Sequence, residues 1–106
     1  MNKKANPTTI EPASNPIARR FFIEGHVQGV FFREWTVSKA REMGLSGYVR
    51  NLSDGRVEVY AIGASASLDQ FAMHLRKGSP ASKVAEVRAE PAAVEKLHGF
   101  SRRQNG

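Results

Sequence analysis

A short glycine-containing stretch of this chain has the residues expected of an anion-binding site. It reads GHVQGVFFR from Gly25 to Arg33. Glycine adopts backbone angles that other residues avoid, so Gly25 and Gly29 could let successive amide N–H groups converge on one anion. Arg33 adds a planar, permanently charged guanidinium that can bind two phosphate oxygens. The combination indicates an anion-binding loop, although two loop glycines alone are more often ordinary turn residues.

The loop is expected to connect a strand to a helix. The aromatic and β-branched residues of 19–24 predict a first strand that ends at Gly25. Residues 33–43 predict a helix, which Gly44 stops. A helix that starts beside the loop contributes unpaired N–H groups and the positive end of its dipole to an anion. The stretch lacks the GK[ST] ending of a nucleotide-binding phosphate loop, so nucleotide hydrolysis is not indicated.

Further strands and a second helix complete the predicted fold. Residues 47–51 and 56–62 predict strands joined by a tight turn at Asp54 and Gly55, and residues 83–89 predict a fourth strand. Apolar and polar residues alternate along 56–62 and along 83–89, and in the hairpin this alternation indicates a half-covered sheet. Ser67 and Gln70 give a capping-box signal for a helix that ends at Gly78. This helix is predicted to carry an apolar stripe of Leu68, Phe71, Ala72 and Leu75. The order βαββαβ is that of the ferredoxin-like α+β fold, with two helices on one face of one antiparallel sheet. Residues 100–103 could add a last short strand, against which the polar ending argues.

Two segments of the chain, read together, resemble the acylphosphatase family. The family pattern runs approximately GxVQGVxFR, then AxxxGLxGWVxN, then DGxVEV, and the chain follows it in order and without gaps. The matching residues are Gly25, Val27, Gln28, Gly29, Val30, Phe32, Arg33, Ala40, Gly44, Leu45, Gly47, Val49, Asn51, Asp54, Gly55, Val57, Glu58 and Val59. Tyr48 departs from the pattern, which commonly has tryptophan there. The resemblance extends from Arg20 to about Ala89.

The resemblance implies an enzyme that hydrolyses the carboxyl–phosphate bond of acyl phosphates to a carboxylate and inorganic phosphate. It implies that Arg33 binds the phosphoryl group and that Asn51 orients the attacking water. The backbone amides expected to hold phosphate belong to Val27, Gln28, Gly29, Val30, Phe31 and Phe32. A carboxylate leaves without a strong general acid because its conjugate acid has a pKa of about 4. The activity therefore implies no metal and no other cofactor, and inorganic phosphate is the product and an expected inhibitor.

The fold implied by the resemblance should also bring the site together. It is expected to place the end of the first strand beside the end of the second, so that the loop lies near Asn51. His26 occupies a variable position of the pattern and is expected to face solvent. Of the aromatic residues near the loop, Phe21, Phe31, Phe32 and Trp35, at least half are expected to pack in the core.

Composition bounds the remaining properties. The chain has 106 residues, a formal net charge of +6 and no cysteine, which excludes disulfides and thiolate chemistry. Residues 1–17 are predicted to form a flexible leader and residues 18–103 the acylphosphatase-like domain. The leader has no continuous apolar run, so neither a secretory signal nor a membrane span is predicted. We expect a cytoplasmic monomer that acts on a small molecule, without a membrane partner.

Two other functions remain open on the sequence alone. A basic ferredoxin-like module could bind nucleic acid without catalysis, but the arginines are scattered and no aromatic-rich RNP1 pattern occurs, so no nucleic-acid partner is expected. An acylphosphatase-like module could instead serve a carbamoyl-phosphate-processing assembly. The short chain and the lack of a cysteine-based zinc pattern disfavour that alternative.

Overall fold

The computed structural model describes residues 15–106. The predicted leader, residues 1–17, therefore lies almost wholly outside the described residues. The first strand, β1 (Ile17–His26), begins at the last residue of that predicted leader. It extends two residues beyond the predicted strand, residues 19–24, at each end. Neither helix within the described residues has the length and hydropathy needed to cross a bilayer.

The elements follow the predicted order, with a fifth strand at the end. After β1 come α1 (Phe32–Glu42), β2 (Ser46–Asn51), β3 (Val57–Gly63), α2 (Ser65–Lys77), β4 (Lys83–Ala92) and β5 (Phe100–Arg102). The strands form one sheet in the order β4-β1-β3-β2-β5. The ferredoxin-like α+β fold is confirmed.

The prediction of a wholly antiparallel sheet is wrong at its last strand. Strands β4, β1, β3 and β2 pair antiparallel, but β5 pairs parallel to β2. After β4 the chain crosses the sheet through residues 93–99 and returns at the opposite edge, where it runs in the direction of β2. Parallel neighbours need such a crossover, whereas antiparallel ones can be joined by a hairpin.

The main core lies between the sheet and the two helices. On β3, Val57, Val59 and Ala61 alternate into this core, as the period of two predicts. The predicted apolar stripe of α2 is confirmed, because all four of its members are buried. They are Leu68, Phe71, Ala72 and Leu75. Burial of such side chains supplies the main favourable free energy of folding.

The predicted ends of both helices are confirmed, but the predicted start of α2 is not. At the end of α1 the N–H of Gly44 bonds to the carbonyl of Arg41, and that of Leu45 bonds to Ala40, which is the Schellman arrangement. The predicted capping box of α2 is wrong. The helix begins at Ser65 after Ala64, without a side-chain cap, so Ser67 already lies inside it. Gly78 follows the last helical residue, as predicted.

The second face of the sheet is more covered than the alternation pattern suggested. Tyr60 is fully buried, and its hydroxyl donates to the carbonyl of Ala93 at 2.5 Å and accepts from the N–H of Glu95 at 2.9 Å. Glu58 is also buried and accepts from Arg20 at 2.8 Å and from Arg50 at 2.6 Å. The side chains of Arg20 and Arg50 are 24% and 34% exposed, so the two ion pairs are partly buried.

The carboxyl of Glu58 is held in its charged form by this network. Burial opposes ionisation, but the hydrogen bonds from Arg50 and Arg20 outweigh it and lower the pKa of Glu58 below its ordinary value of 4.5. The folded chain thus binds this proton more weakly than the unfolded chain does. The resulting stabilisation is present above pH 4.5 and is lost as the pH falls through the lower folded pKa.

We expect Glu58→Gln to lower the free energy of unfolding by about 3 kcal/mol at neutral pH, because it leaves two arginines without their buried partner. The loss should shrink as the pH falls below 4.5, where the wild-type carboxyl becomes protonated. Urea unfolding at a series of pH values measures both effects. Glu90→Gln, on an exposed position of β4, is the matched control. An equal loss for Glu58→Gln at acidic and neutral pH would contradict this account.

Candidate anion-binding site

A bulge at the end of β1 directs the chain into the glycine-containing loop. The pairing of β1 with β4 shifts by one residue between Glu24 and Gly25. Gly25 has φ 133°, and a Cβ atom there would lie 2.1 Å from the carbonyl oxygen of Lys83, so only glycine fits. The same shift lets Val84 and Val87 both pack against the core. The strict alternation predicted for the fourth strand therefore fails at this point.

The loop that follows has backbone angles of alternating handedness. Gly29 has φ 75° and Phe31 has φ 60°, whereas Gln28, Val30 and Phe32 have no positive φ. Such alternation turns successive N–H groups toward one side and forms an anion-binding nest. The sequence predicted this role for the glycines. It did not predict a left-handed phenylalanine, which is the N-cap of α1.

The N–H groups of this loop and of the first three helical residues have no backbone partners within residues 15–106. The first backbone bond at the start of α1 runs from the N–H of Trp35 to the carbonyl of Phe31, at 3.1 Å. The N–H groups of Phe32, Arg33 and Glu34 precede it and are the unpaired donors that every helix start exposes. Together with the helix dipole they favour a bound anion.

Gln28 fastens the loop to the hairpin between β2 and β3. Its side-chain amide donates to the carbonyl of Leu52 and to the carbonyl of Arg56, both at 2.9 Å. These two carbonyls lie on opposite arms of the hairpin. The side chain of Gln28 therefore ties the loop to the end of β2. The sequence did not predict these two hydrogen bonds.

Arg33 occupies the second position of α1, where the helix gives it a rigid base. Its Nη1 donates to Oδ1 of Asn105 at 3.2 Å. The neighbouring Glu34 pairs with Arg102 at 2.6 Å and not with Arg33. The guanidinium of Arg33 thus has a neutral partner and remains uncompensated by a carboxylate within the described residues.

Asn51 is the last residue of β2 and is 8% exposed. Its Oδ1 is buried and has no hydrogen-bond partner within residues 15–106. An unpaired buried polar atom costs about 1–3 kcal/mol, so native proteins keep few of them, and many mark reaction sites. An asparagine that shaped the turn after β2 would accept a backbone hydrogen bond through Oδ1, and Asn51 does not.

The prediction that the end of β1 lies beside the end of β2 is wrong, although the loop does lie near Asn51. Strand β3 lies between β1 and β2, and Val57 pairs with both Ile23 and Asn51. The two strands that carry the site are parallel to each other but not neighbours. The loop reaches across the end of β3 to meet Asn51, and the Gln28 bonds hold it there.

One cavity of about 430 Å³ brings the predicted residues together. It is lined by Val27, Gly29, Phe31, Phe32, Arg33, Glu34, Asn51 and Arg102. Of the residues predicted to form the phosphate cradle, Gln28 and Val30 do not line it; Gln28 makes the hairpin contacts and Val30 packs against the core. Within residues 15–106, no cluster of three His, Cys, Asp or Glu side chains could hold a metal.

The segment after β5 completes the site, which the sequence did not predict. The N–H of Arg103 bonds to the carbonyl of Val49, and the N–H of Gly106 bonds to the carbonyl of Asn51 at 2.8 Å. This path beside β2 places Asn105 next to Arg33. The polar ending SRRQNG gives no apolar pattern from which such a course could have been inferred.

The chain is similar in sequence and in fold to known proteins. Residues 19–102 match the family model described as acylphosphatase. The acylphosphatase of Rhizorhabdus wittichii is 44% identical over 82% of this chain and 88% of its own length. That of Archaeoglobus fulgidus is 43% identical over 79% of this chain and 94% of its own. A solved acylphosphatase structure from Coxiella burnetii matches with a TM-score of 0.80 and 39% identity, over 84% and 94% of the two chains.

We expect Gln28→Ala to lower the free energy of unfolding by about 1–3 kcal/mol, because the carbonyls of Leu52 and Arg56 both lose a donor. Urea unfolding measures this loss. Gln70→Ala removes the same side chain from an exposed position of α2 and is the matched control. If the two variants lose equal stability, the Gln28 bonds do not hold the loop in place.

Proposed function

Because the chain belongs to the acylphosphatase family, we propose that it hydrolyses acyl phosphates to a carboxylate and inorganic phosphate. The observation that carries the proposal is that Arg33 and Asn51 line one cavity at the start of α1. The cavity lies beside a loop with unpaired N–H groups. A guanidinium, a set of backbone N–H donors and a carboxamide are the groups that the proposed mechanism uses.

In the proposed mechanism, the phosphoryl group occupies the nest formed by residues 27–32. The backbone N–H groups of Val27, Gln28, Gly29, Val30, Phe31 and Phe32 are the proposed donors. Arg33 binds further phosphoryl oxygens through its guanidinium. Phosphoryl transfer passes through a loose transition state, so fixed donors that match its charge lower the barrier without covalent help.

Asn51 is proposed to hold the attacking water in line with the bond that breaks. The water oxygen forms a bond to phosphorus while the bond from phosphorus to the carboxyl oxygen breaks. A phosphate oxygen of the substrate takes the proton of the water, and the electron pair of the broken bond leaves with the carboxylate. Alignment of this kind can account for several orders of magnitude in rate.

This scheme needs no histidine base. His26 is exposed, as expected, and none of the chain's three histidines lines the cavity. A carboxylate is a good leaving group at neutral pH, because its conjugate acid has a pKa of about 4. Positioning and charge stabilisation therefore suffice.

The proposal includes two finer statements. We propose that the chain acts as a monomer in the cytoplasm, in keeping with its lack of cysteine, and that inorganic phosphate inhibits it by occupying the cradle. The nucleic-acid alternative is not adopted. The aromatic rings on the second sheet face are covered by the chain's own guanidinium groups, as Arg20 lies over Tyr60 and Arg103 over Tyr48.

Purified protein should hydrolyse acetyl phosphate and benzoyl phosphate well above the spontaneous rate, and a metal chelator should not abolish the activity. Release of inorganic phosphate measures turnover for both substrates. Added inorganic phosphate should inhibit competitively, since it would occupy the same cradle. A rate equal to that of substrate in buffer alone would reject the proposed function.

The two side chains should have separable effects. We expect Arg33→Gln to lower kcat/KM about 10³-fold and to weaken inhibition by phosphate, because the guanidinium acts in both binding and the transition state. We expect Asn51→Ala to lower kcat about 10²-fold with little change in KM, because it only misplaces water. Steady-state kinetics with both substrates measures these parameters.

Matched controls remove an arginine and a carboxamide side chain from exposed positions of α2. They are Arg76→Gln and Gln70→Ala. Both should keep wild-type kinetics. Full activity in Arg33→Gln and in Asn51→Ala would show that the residue roles are assigned incorrectly even if the chain is an acylphosphatase.

A further inference from the structure

Phe31 lines the cavity with a side chain that the mechanism above does not use. Its backbone N–H belongs to the proposed cradle, but its ring has no assigned role. The side chain is 81% exposed, whereas the adjacent Phe32 is 1% exposed and packs in the core. Phe31 also has φ 60° and ψ 23°, the left-handed conformation.

A phenylalanine at this position is unfavourable for the fold in three ways. A non-glycine residue in the left-handed region costs about 1–2 kcal/mol. The exposed ring leaves apolar surface in water. At the N-cap of α1, where Asn, Asp, Ser or Gly stabilise a helix, Phe31 makes no side-chain cap. Glycine or asparagine would satisfy the backbone better, so stability does not explain the ring.

The position of Phe31 suggests what the ring does. It lines the cavity with Arg33 and Asn51, and together with Glu34 and Arg102 it forms the exposed rim. Glu34 and Arg102 pair with each other at 2.6 Å, which compensates the charges of both. Phe31 is then the large apolar group on the rim. No other aromatic ring of the described residues stacks on it, so its faces are free.

Geometry also limits what can lie against the ring. In the proposed cradle of residues 27–32, the N–H of Phe31 is itself one of the donors to the phosphoryl group. The acyl carbon of the substrate is joined to that phosphoryl group through a single oxygen. An acyl group that leaves the cradle on the side of residue 31 meets the exposed ring, and a flat or large apolar acyl group can pack on it.

We propose that the side chain of Phe31 is a specificity-determining residue that recognises the acyl group and favours aromatic and large apolar acyl phosphates over acetyl phosphate. The inference rests on the proposed function and adds the substrate class to it. Contact between two aromatic rings contributes about 0.5–1.5 kcal/mol beyond burial of their surface. That range corresponds to about a 2- to 12-fold preference.

The test compares kcat/KM for benzoyl phosphate with kcat/KM for acetyl phosphate in each variant. Phe31→Asn and Phe31→Gly remove the ring, and both residues tolerate the left-handed backbone, so the loop can keep its form. Phe31→Tyr keeps a ring and serves as the matched control. We expect the benzoyl-to-acetyl ratio to fall about 3- to 10-fold in the Asn and Gly variants and to stay at the wild-type value in the Tyr variant.

The ratio separates this inference from the proposed function. If the wild-type chain hydrolyses neither substrate, the proposed function fails. If it hydrolyses both and the ratio in Phe31→Asn and Phe31→Gly equals that of wild type, Phe31 does not select the acyl group and the inference is overturned. A uniform loss for both substrates, with weaker phosphate inhibition, would also overturn it, because the residue would then act only through the cradle.

Discussion

Strand β3 pairs with both strands that carry the site, and this double pairing fixes where the site can form. Val57 lies opposite Ile23 on one side and opposite Asn51 on the other. The C-terminal ends of β1 and β2 therefore lie at the same end of the sheet, although about 25 residues separate them in the chain. A shift of one residue in the pairing of β2 with β3 would turn the Asn51 side chain to the opposite face. The buried valines of β3 oppose such a shift.

Several groups that are unfavourable for the fold lie together at this end of the sheet. They comprise the unpaired N–H groups at the start of α1, the left-handed Phe31 and the unpaired Oδ1 of Asn51. Each is unfavourable in the free protein, and each is suited to meet an anion or its attacking water. The core between sheet and helices supplies the stability that keeps them in place. Two hydrogen bonds from Gln28 transmit that rigidity to the loop.

The sequence was most informative where a local pattern determines a local structure. The period of β3, the apolar stripe of α2 and the end of α1 at Gly44 are all present as predicted. The long ordered motif also identified Arg33 and Asn51, which share one cavity.

Features that depend on distant partners were not predictable in the same way. The bulge at Gly25 arises from the close approach of β4, and the parallel pairing of β5 spans only three residues with few apolar side chains. The contact of Asn105 with Arg33 follows from that pairing and has no sequence pattern of its own. The left-handed angle of Phe31 was missed because glycine is the residue from which such angles are usually inferred.

Both outer edges of the sheet are built to resist the addition of a strand from another molecule. At one edge β5 has three residues, too few to template a long pairing. At the other edge β4 has ten residues, but it exposes charges of both signs, such as Glu86 and Arg88, and it contains Pro91, which has no N–H to donate. An open cradle of unpaired donors thus coexists with sheet edges that discourage aggregation.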